Sequence, residues 1–157
     1  MNDLNTIGLN AVKSQELAGQ LNDLLSNYSI FYQNVRGYHW NIKGDDFFVL
    51  HQKFEDLYTN LFLKIDEVAE RILTLGFAPN HNFTEYFKTA AILETEEVTD
   101  GQNSIKRVVD SLAILLAKQR FILELSAEID DTGTNSLMSD YIREQEKMVW
   151  MYSAYIN

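Results

Sequence analysis

The sequence predicts an all-α fold, a four-helix bundle in which a long crossover joins the second and third helices. Apolar residues recur at helical spacing in four long segments, and no segment shows the sustained alternation that is typical of a strand. The single proline among the 157 residues lies outside all four segments. With 46% hydrophobic residues and no low-complexity segment, residues 1–157 are expected to form one domain.

The first predicted helix covers about residues 10–38 and has His39 and Trp40 at its end. The loop that follows contains Gly44 and two aspartates, either of which could cap the next helix. The second predicted helix covers about residues 47–75, where a glycine ends it. These two helices are therefore expected to be antiparallel neighbours.

The second helix is apolar over more of its circumference than a surface helix requires. One stripe is expected to face the bundle, and it consists of Phe54, Leu61, Ile65, Val68 and Ile72. A second apolar set continues around the helix and consists of Phe62, Leu63, Ala69 and Leu73. A second buried face implies a partner chain.

A crossover of about 25 residues follows, with a short helix near residues 84–92. The third helix is predicted at about residues 102–129 and the fourth at about residues 135–156. A short loop, a long crossover and a second short loop form the connectivity of a ferritin-like four-helix bundle.

Composition excludes several classes of function. There is no Cys, which excludes disulfides and thiol chemistry. Because neither a signal region nor an apolar run long enough to span a bilayer is evident, we expect a cytoplasmic protein without membrane contact. The formal charge of −10 opposes nonspecific binding to nucleic acid and favours the attraction of cations.

Candidate metal ligands recur on the second helix. His51 and Glu55 form one i, i+4 pair and Asp66 and Glu70 form another, so each pair can present two ligands together. Imidazole with carboxylate suits iron, zinc or manganese. His51 and Asp66 lie fifteen residues apart, roughly 22 Å along a helix, so one chain cannot close the site. Two antiparallel copies across a two-fold axis could close it twice.

A metal site inside the bundle is not expected. Such sites use E-x-x-H pairs on facing helices. The residues three positions before the histidines are Arg36, Phe48 and Ala78.

Several short motifs, spread along nearly the whole chain, form one recognisable combination. They are Tyr38-His39-Trp40-Asn41, Gly44, Phe47-Phe48, His51-x-x-x-Glu55, Asp66-Glu67-Val68-Ala69-Glu70-Arg71, Leu75-Gly76 and Trp150-Met151. In these motifs the chain resembles the Dps family, the DNA-protection-during-starvation miniferritins. The resemblance implies a shell of twelve subunits with ferroxidase centres at dimer interfaces. There Fe(II) would be oxidised, preferably by hydrogen peroxide, and stored as a ferric mineral.

The resemblance also implies a ligand set that is both catalytic and metal-binding. His39, His51 and Glu55 would come from one subunit, and Asp66 and Glu70 from its dimer partner. Many family members have Asp at position 55, but the longer Glu still supplies an oxygen ligand. Iron is the expected metal, while zinc or manganese remains an alternative.

Two accessory roles are predicted near the site and at the shell surface. Trp40, beside His39, could donate an electron to a stray oxidant, with core packing as the alternative. Acids that line a pore for iron entry are expected at the end of the third helix, on one helical face, with a solvated surface as the alternative. The candidate pore acids are Glu124, Glu128 and Asp131.

Two classes of function stay open: an iron-oxidising storage enzyme, and a noncatalytic helical shell that compacts DNA or binds another partner. Family members that bind DNA use a lysine-rich tail. Here the first 35 residues contain one cation, Lys13, and the sequence ends at Asn157 without a basic tail. Twelve copies would carry about −120 charges and repel phosphate. We therefore predict no DNA binding and a chemical form of protection.

Overall fold

The computed structural model describes residues 3–157, and five α-helices make up its secondary structure apart from one isolated bridge between Leu4 and Asn10. The helices are α1 (Ala11–Asn41), α2 (Phe47–Thr74), α3 (Phe83–Thr89), α4 (Gly101–Glu128) and α5 (Thr132–Ile156). The helix α1 packs on α2, α4 packs on α5, α1 also contacts α4, and the short α3 lies against α1. The predicted all-α bundle with a helix in its crossover is confirmed.

The helix boundaries lie within about three residues of the sequence reading. The helix α1 ends three residues later than predicted, at Asn41, and α3 ends three residues earlier, at Thr89. The largest difference at the start of a helix is in α5. That helix begins at Thr132, three residues earlier than predicted. The cause is Asp131, whose carboxylate accepts a hydrogen bond from the Thr134 backbone at 3.0 Å. A carboxylate in this position caps the first turn of a helix and allows Gly133 to be helical.

Three asparagines of α1 fasten the crossover to the bundle. Asn22 accepts a hydrogen bond from the Asn80 backbone at 2.8 Å. Asn27 accepts two, from the backbones of Ala91 and Ile92, both at 2.9 Å. Asn34 donates to the Leu93 carbonyl at 2.9 Å and accepts from the Thr95 backbone at 3.1 Å. These side chains satisfy backbone groups that have no helical partner, so a long irregular segment can lie against α1.

A closed ring of three polar side chains occupies the centre of the bundle. The Tyr28 hydroxyl donates to Gln119. The Gln119 amide donates to Gln145 at 2.8 Å, and the Gln145 amide returns to the Tyr28 hydroxyl at 2.6 Å. All three side chains are buried, and burial raises the pKa of Tyr28 far above its ordinary value. The ring joins α1, α4 and α5.

Replacing Tyr28 with Phe should destabilise the bundle by about 1–3 kcal/mol, because Gln119 and Gln145 are buried and each lose a hydrogen-bond partner. The free energy of unfolding, from urea denaturation followed by circular dichroism, measures this effect. Tyr32→Phe on the same helix is the matched control, since Tyr32 is only partly buried. Equal stability of the two variants would contradict a structural role for the ring.

No helix within residues 3–157 combines the length and the apolarity that a membrane crossing requires.

Candidate metal centre

The turn between α1 and α2 brings two histidines face to face. His39 lies in the last turn of α1 and His51 near the start of α2. Their ring centroids are 3.8 Å apart and their planes differ by 17°. The turn is tight because Gly44 adopts φ +107°, and the Lys43 backbone is tied to the Thr99 carbonyl at 2.8 Å.

Each histidine is also hydrogen-bonded to the backbone of the other. The Nδ1 of His39 lies 2.7 Å from the His51 carbonyl oxygen, and the Nδ1 of His51 lies 2.8 Å from the His39 carbonyl oxygen. A carbonyl only accepts, so both Nδ1 atoms carry the proton. The Nε2 of each neutral ring then has a free lone pair, and this backbone contact is the usual outer support of a metal-ligating histidine.

The stacking indicates how many ions the pair can serve. An imidazole lone pair lies in the plane of its ring. One ion placed between rings 3.8 Å apart would lie off each plane by nearly a whole metal–nitrogen bond of about 2.1 Å. The lone pairs therefore suit two ions, one for each ring.

The carboxylates occupy two different positions. Glu55 lies one turn after His51 and is partly buried. Asp66 and Glu70 lie fifteen and nineteen residues along the same helix and are exposed. The single chain thus brings His39 and His51 together and leaves Asp66 and Glu70 apart from them. Within the described residues 3–157, no three His, Cys, Asp or Glu side chains gather closely enough to hold a metal ion.

The second apolar set of α2 lies on the outside of the chain. Phe62, Leu63 and Leu73 are each 58% exposed, whereas most of the predicted inner stripe is buried. At about 100° per residue, Phe62 and Leu73 lie within about 60° of His51 around the helix. The exposed apolar residues and the candidate ligands therefore share one face of α2.

Two further aromatic rings contact the histidine pair, and neither contact was predicted from the sequence. Phe47 stacks on His51 with ring centroids 5.0 Å apart. Tyr58 meets His39 edge to face at 5.3 Å. Phe47 and His51 are four residues apart at the start of one helix. Residues at this spacing are neighbours on a helix surface, so the contact between Phe47 and His51 could have been predicted.

Trp40 is 56% exposed, so the alternative of packing in the core of its own chain is wrong. The Arg36 guanidinium lies 4.8 Å from the centre of its ring. Its role as an electron donor stays a prediction.

The prediction that three pore acids share one helical face is wrong for Asp131. The helix α4 ends at Glu128, so Asp131 lies beyond it. Asp131 is buried, bonded to the Arg71 guanidinium at 2.6 Å, and caps α5. The Asp131 carboxylate is bonded to groups of its own subunit and cannot face a pore. Glu124 and Glu128 are exposed on α4 and stay candidates.

Comparison with known proteins places this bundle in a family. Residues 18–157 match the model of the ferritin-like domain. A relative from Porphyromonas gingivalis, a DNA protection during starvation protein, is 44% identical over 152 residues, which are 97% of this chain and 96% of the relative. The chain belongs to the Dps family.

Solved Dps structures agree with this assignment. The Vibrio cholerae Dps protein superposes with a TM-score of 0.97 at 57% identity, covering 100% of this chain and 98% of that one. It is described as a member of a broad superfamily of ferritin-like diiron-carboxylate proteins. Dps from Listeria innocua gives a TM-score of 0.86 at 27% identity, covering 89% of this chain and 93% of the other. The family predicted from the sequence motifs is confirmed.

Proposed function

We propose that this Dps protein is a ferroxidase that oxidises Fe(II) at sites between two subunits and stores the ferric product in a shell of twelve. The observation that carries the proposal is the stacked histidine pair, in which both Nδ1 atoms are bonded to backbone and both Nε2 atoms are available for metal. Membership in a family whose Vibrio cholerae member is described as a diiron-carboxylate protein supports iron as the metal.

A second subunit would supply the carboxylates. Asp66 and Glu70 lie roughly 22 Å and roughly 28 Å along α2 from His51, too far for one chain to join them. An antiparallel second copy of α2 would place them opposite His39 and His51 of the first. The exposed apolar residues on the same face of α2 would be buried by that contact, which supplies its driving force.

The ligand set suits the oxidation of iron. Carboxylates stabilise the Fe(III) product, while two neutral imidazoles keep the affinity modest, so that oxidised iron can leave for the mineral. Two Fe(II) ions held together deliver two electrons to one hydrogen peroxide, which takes up two protons and yields two water molecules. The one-electron route, which releases hydroxyl radical, is thereby suppressed. We propose that peroxide is the preferred oxidant for this reason.

Protection of DNA would then be chemical. The net charge of −10 per chain repels phosphate, so we expect no retardation of DNA in a gel at low salt. A cytoplasmic location, where iron, peroxide and DNA meet, is part of this proposal. Zinc or manganese would fit the same ligands, and metal competition distinguishes them from iron.

Anaerobic titration of the assembled protein with Fe(II) should show binding of about two ions per subunit. Addition of one peroxide per two ions should then oxidise them with little radical detected by spin trapping. His51→Ala should lose this binding, while His81→Ala should keep it, since His81 is exposed in the crossover. Equal binding by both variants, or none by the wild type, would refute the proposal.

A further inference from the structure

The His51 ring lies between two other rings. His39 stacks on it at 3.8 Å, and Phe47 stacks on it at 5.0 Å with the planes 22° apart. Two rings that both stack on one imidazole take its opposite faces. Phe47 therefore covers the face of His51 that His39 leaves open.

The position of Phe47 in the chain accounts for this contact. It is the first residue of α2, and His51 follows one turn later on the same face. The Phe47 backbone donates a hydrogen bond to the Gly44 carbonyl at 3.1 Å. The preceding residue, Asp46, accepts a hydrogen bond from the Tyr155 hydroxyl of α5 at 2.7 Å. These two hydrogen bonds fix the backbone at the start of α2, where Phe47 lies.

We propose that Phe47 is a positioning residue of the metal centre, whose ring fixes the plane of His51 and so the direction of its Nε2 lone pair. The hydrogen bond from Nδ1 does not fix that plane alone, because hydrogen bonds tolerate about 30° of misalignment and the χ2 angle of histidine is broad. A ring on each face removes this freedom. The inference rests on the proposed function, since the direction of Nε2 has a consequence only where it binds an ion.

The neighbouring residue offers a matched control. Phe48 is 84% exposed, and its ring meets the ring of Phe47 edge to face at 5.2 Å. It has the same chemistry and lies in the same turn of α2, but its ring contacts the ring of Phe47 and not that of a histidine. Any effect that comes from losing the contact between these two rings should therefore appear in Phe48→Leu as well as in Phe47→Leu.

The test is anaerobic titration with Co(II), whose visible absorption reports the geometry of its ligands. Phe47→Leu keeps an apolar side chain but removes the flat face, and Phe47→Tyr keeps the flat face. We expect Phe47→Leu to bind Co(II) about tenfold more weakly and with an altered spectrum, as is usual when an outer support of a ligand is lost. Phe47→Tyr and Phe48→Leu should keep the wild-type affinity and spectrum.

Assembly of each variant is confirmed by sedimentation, and Phe47→Met replaces Phe47→Leu if the latter does not assemble. A wild-type affinity and spectrum in the variant without the ring would overturn the inference. Weakening of the same size in Phe47→Tyr or Phe48→Leu would also overturn it. Failure of the wild type to bind Co(II) would refute the proposed function itself, so the two failures are distinguishable.

Discussion

Replacing both Asp66 and Glu70 with Ala should lower the rate of peroxide-driven Fe(II) oxidation by more than about 100-fold, because removing ligands costs more than the 10–100-fold typical of outer supports. Both side chains are exposed in the single chain, so the subunit fold should not depend on them. Stopped-flow absorbance of the ferric product, after peroxide is added to Fe(II)-loaded protein, measures the rate.

The matched control removes two other carboxylates from the same helix. Asp56 and Glu67 are exposed on α2 and belong to neither candidate pair. Asp56→Ala combined with Glu67→Ala should leave the rate near that of the wild type, and both double variants should assemble as the wild type does. Equal, slow oxidation by the wild type and by the Asp66→Ala, Glu70→Ala variant would mean that these residues do not form the site.

Replacing Arg71 with Met should lower the free energy of unfolding by about 3–5 kcal/mol, the cost of leaving one charge of a buried pair alone. The Arg71 guanidinium donates to Asp131 at 2.6 Å and to the Thr134 hydroxyl at 2.8 Å. The Asp131 side chain is 1% exposed and that of Arg71 19% exposed, so little water can take the place of the guanidinium. Chemical denaturation of the assembled protein measures the loss.

Two further variants test whether the unpaired charge of Asp131 causes this loss of stability. The double variant Arg71→Met, Asp131→Asn should recover part of the loss, because the second substitution removes the stranded charge while its amide oxygen can still cap α5. Arg120→Met should cost no more than about 1 kcal/mol, since Arg120 and Glu146 are both about half exposed. A loss of the same size for Arg71→Met and Arg120→Met would contradict the buried pair.

The helices were predictable because each long segment carries an apolar stripe that the bundle buries. Phe54, Leu61, Val68 and Ile72 of α2 are buried as their spacing predicts. The exposure of Phe62 on the same helix was also predictable, since a second apolar stripe exceeds what one bundle can cover.

Polar partners were not predictable in the same way. Apolar periodicity reports which face is buried, but not which distant group an amide or a carboxylate meets. Asn27 thus gave no sign that it holds the crossover, and Asp131 read as a pore acid because its partner, Arg71, lies sixty residues away. The stacking of His39 on His51 likewise depends on the shape of the turn between two helices, which ligand spacing alone does not determine.

The division of each site between two subunits can be tested by co-assembly. A His51→Ala chain and an Asp66→Ala, Glu70→Ala chain should each form shells without ferroxidase activity. A mixed dimer contains one chain of each kind. One of its sites lacks both the His51 imidazole and the two carboxylates. The other site takes His51 from the carboxylate variant and Asp66 and Glu70 from the His51 variant, so it is intact. Random pairing of equal amounts makes half of the dimers mixed, so about one quarter of the wild-type sites should be active. Recovery of that activity on co-assembly is the predicted result, and no activity above that of either variant alone would contradict shared sites.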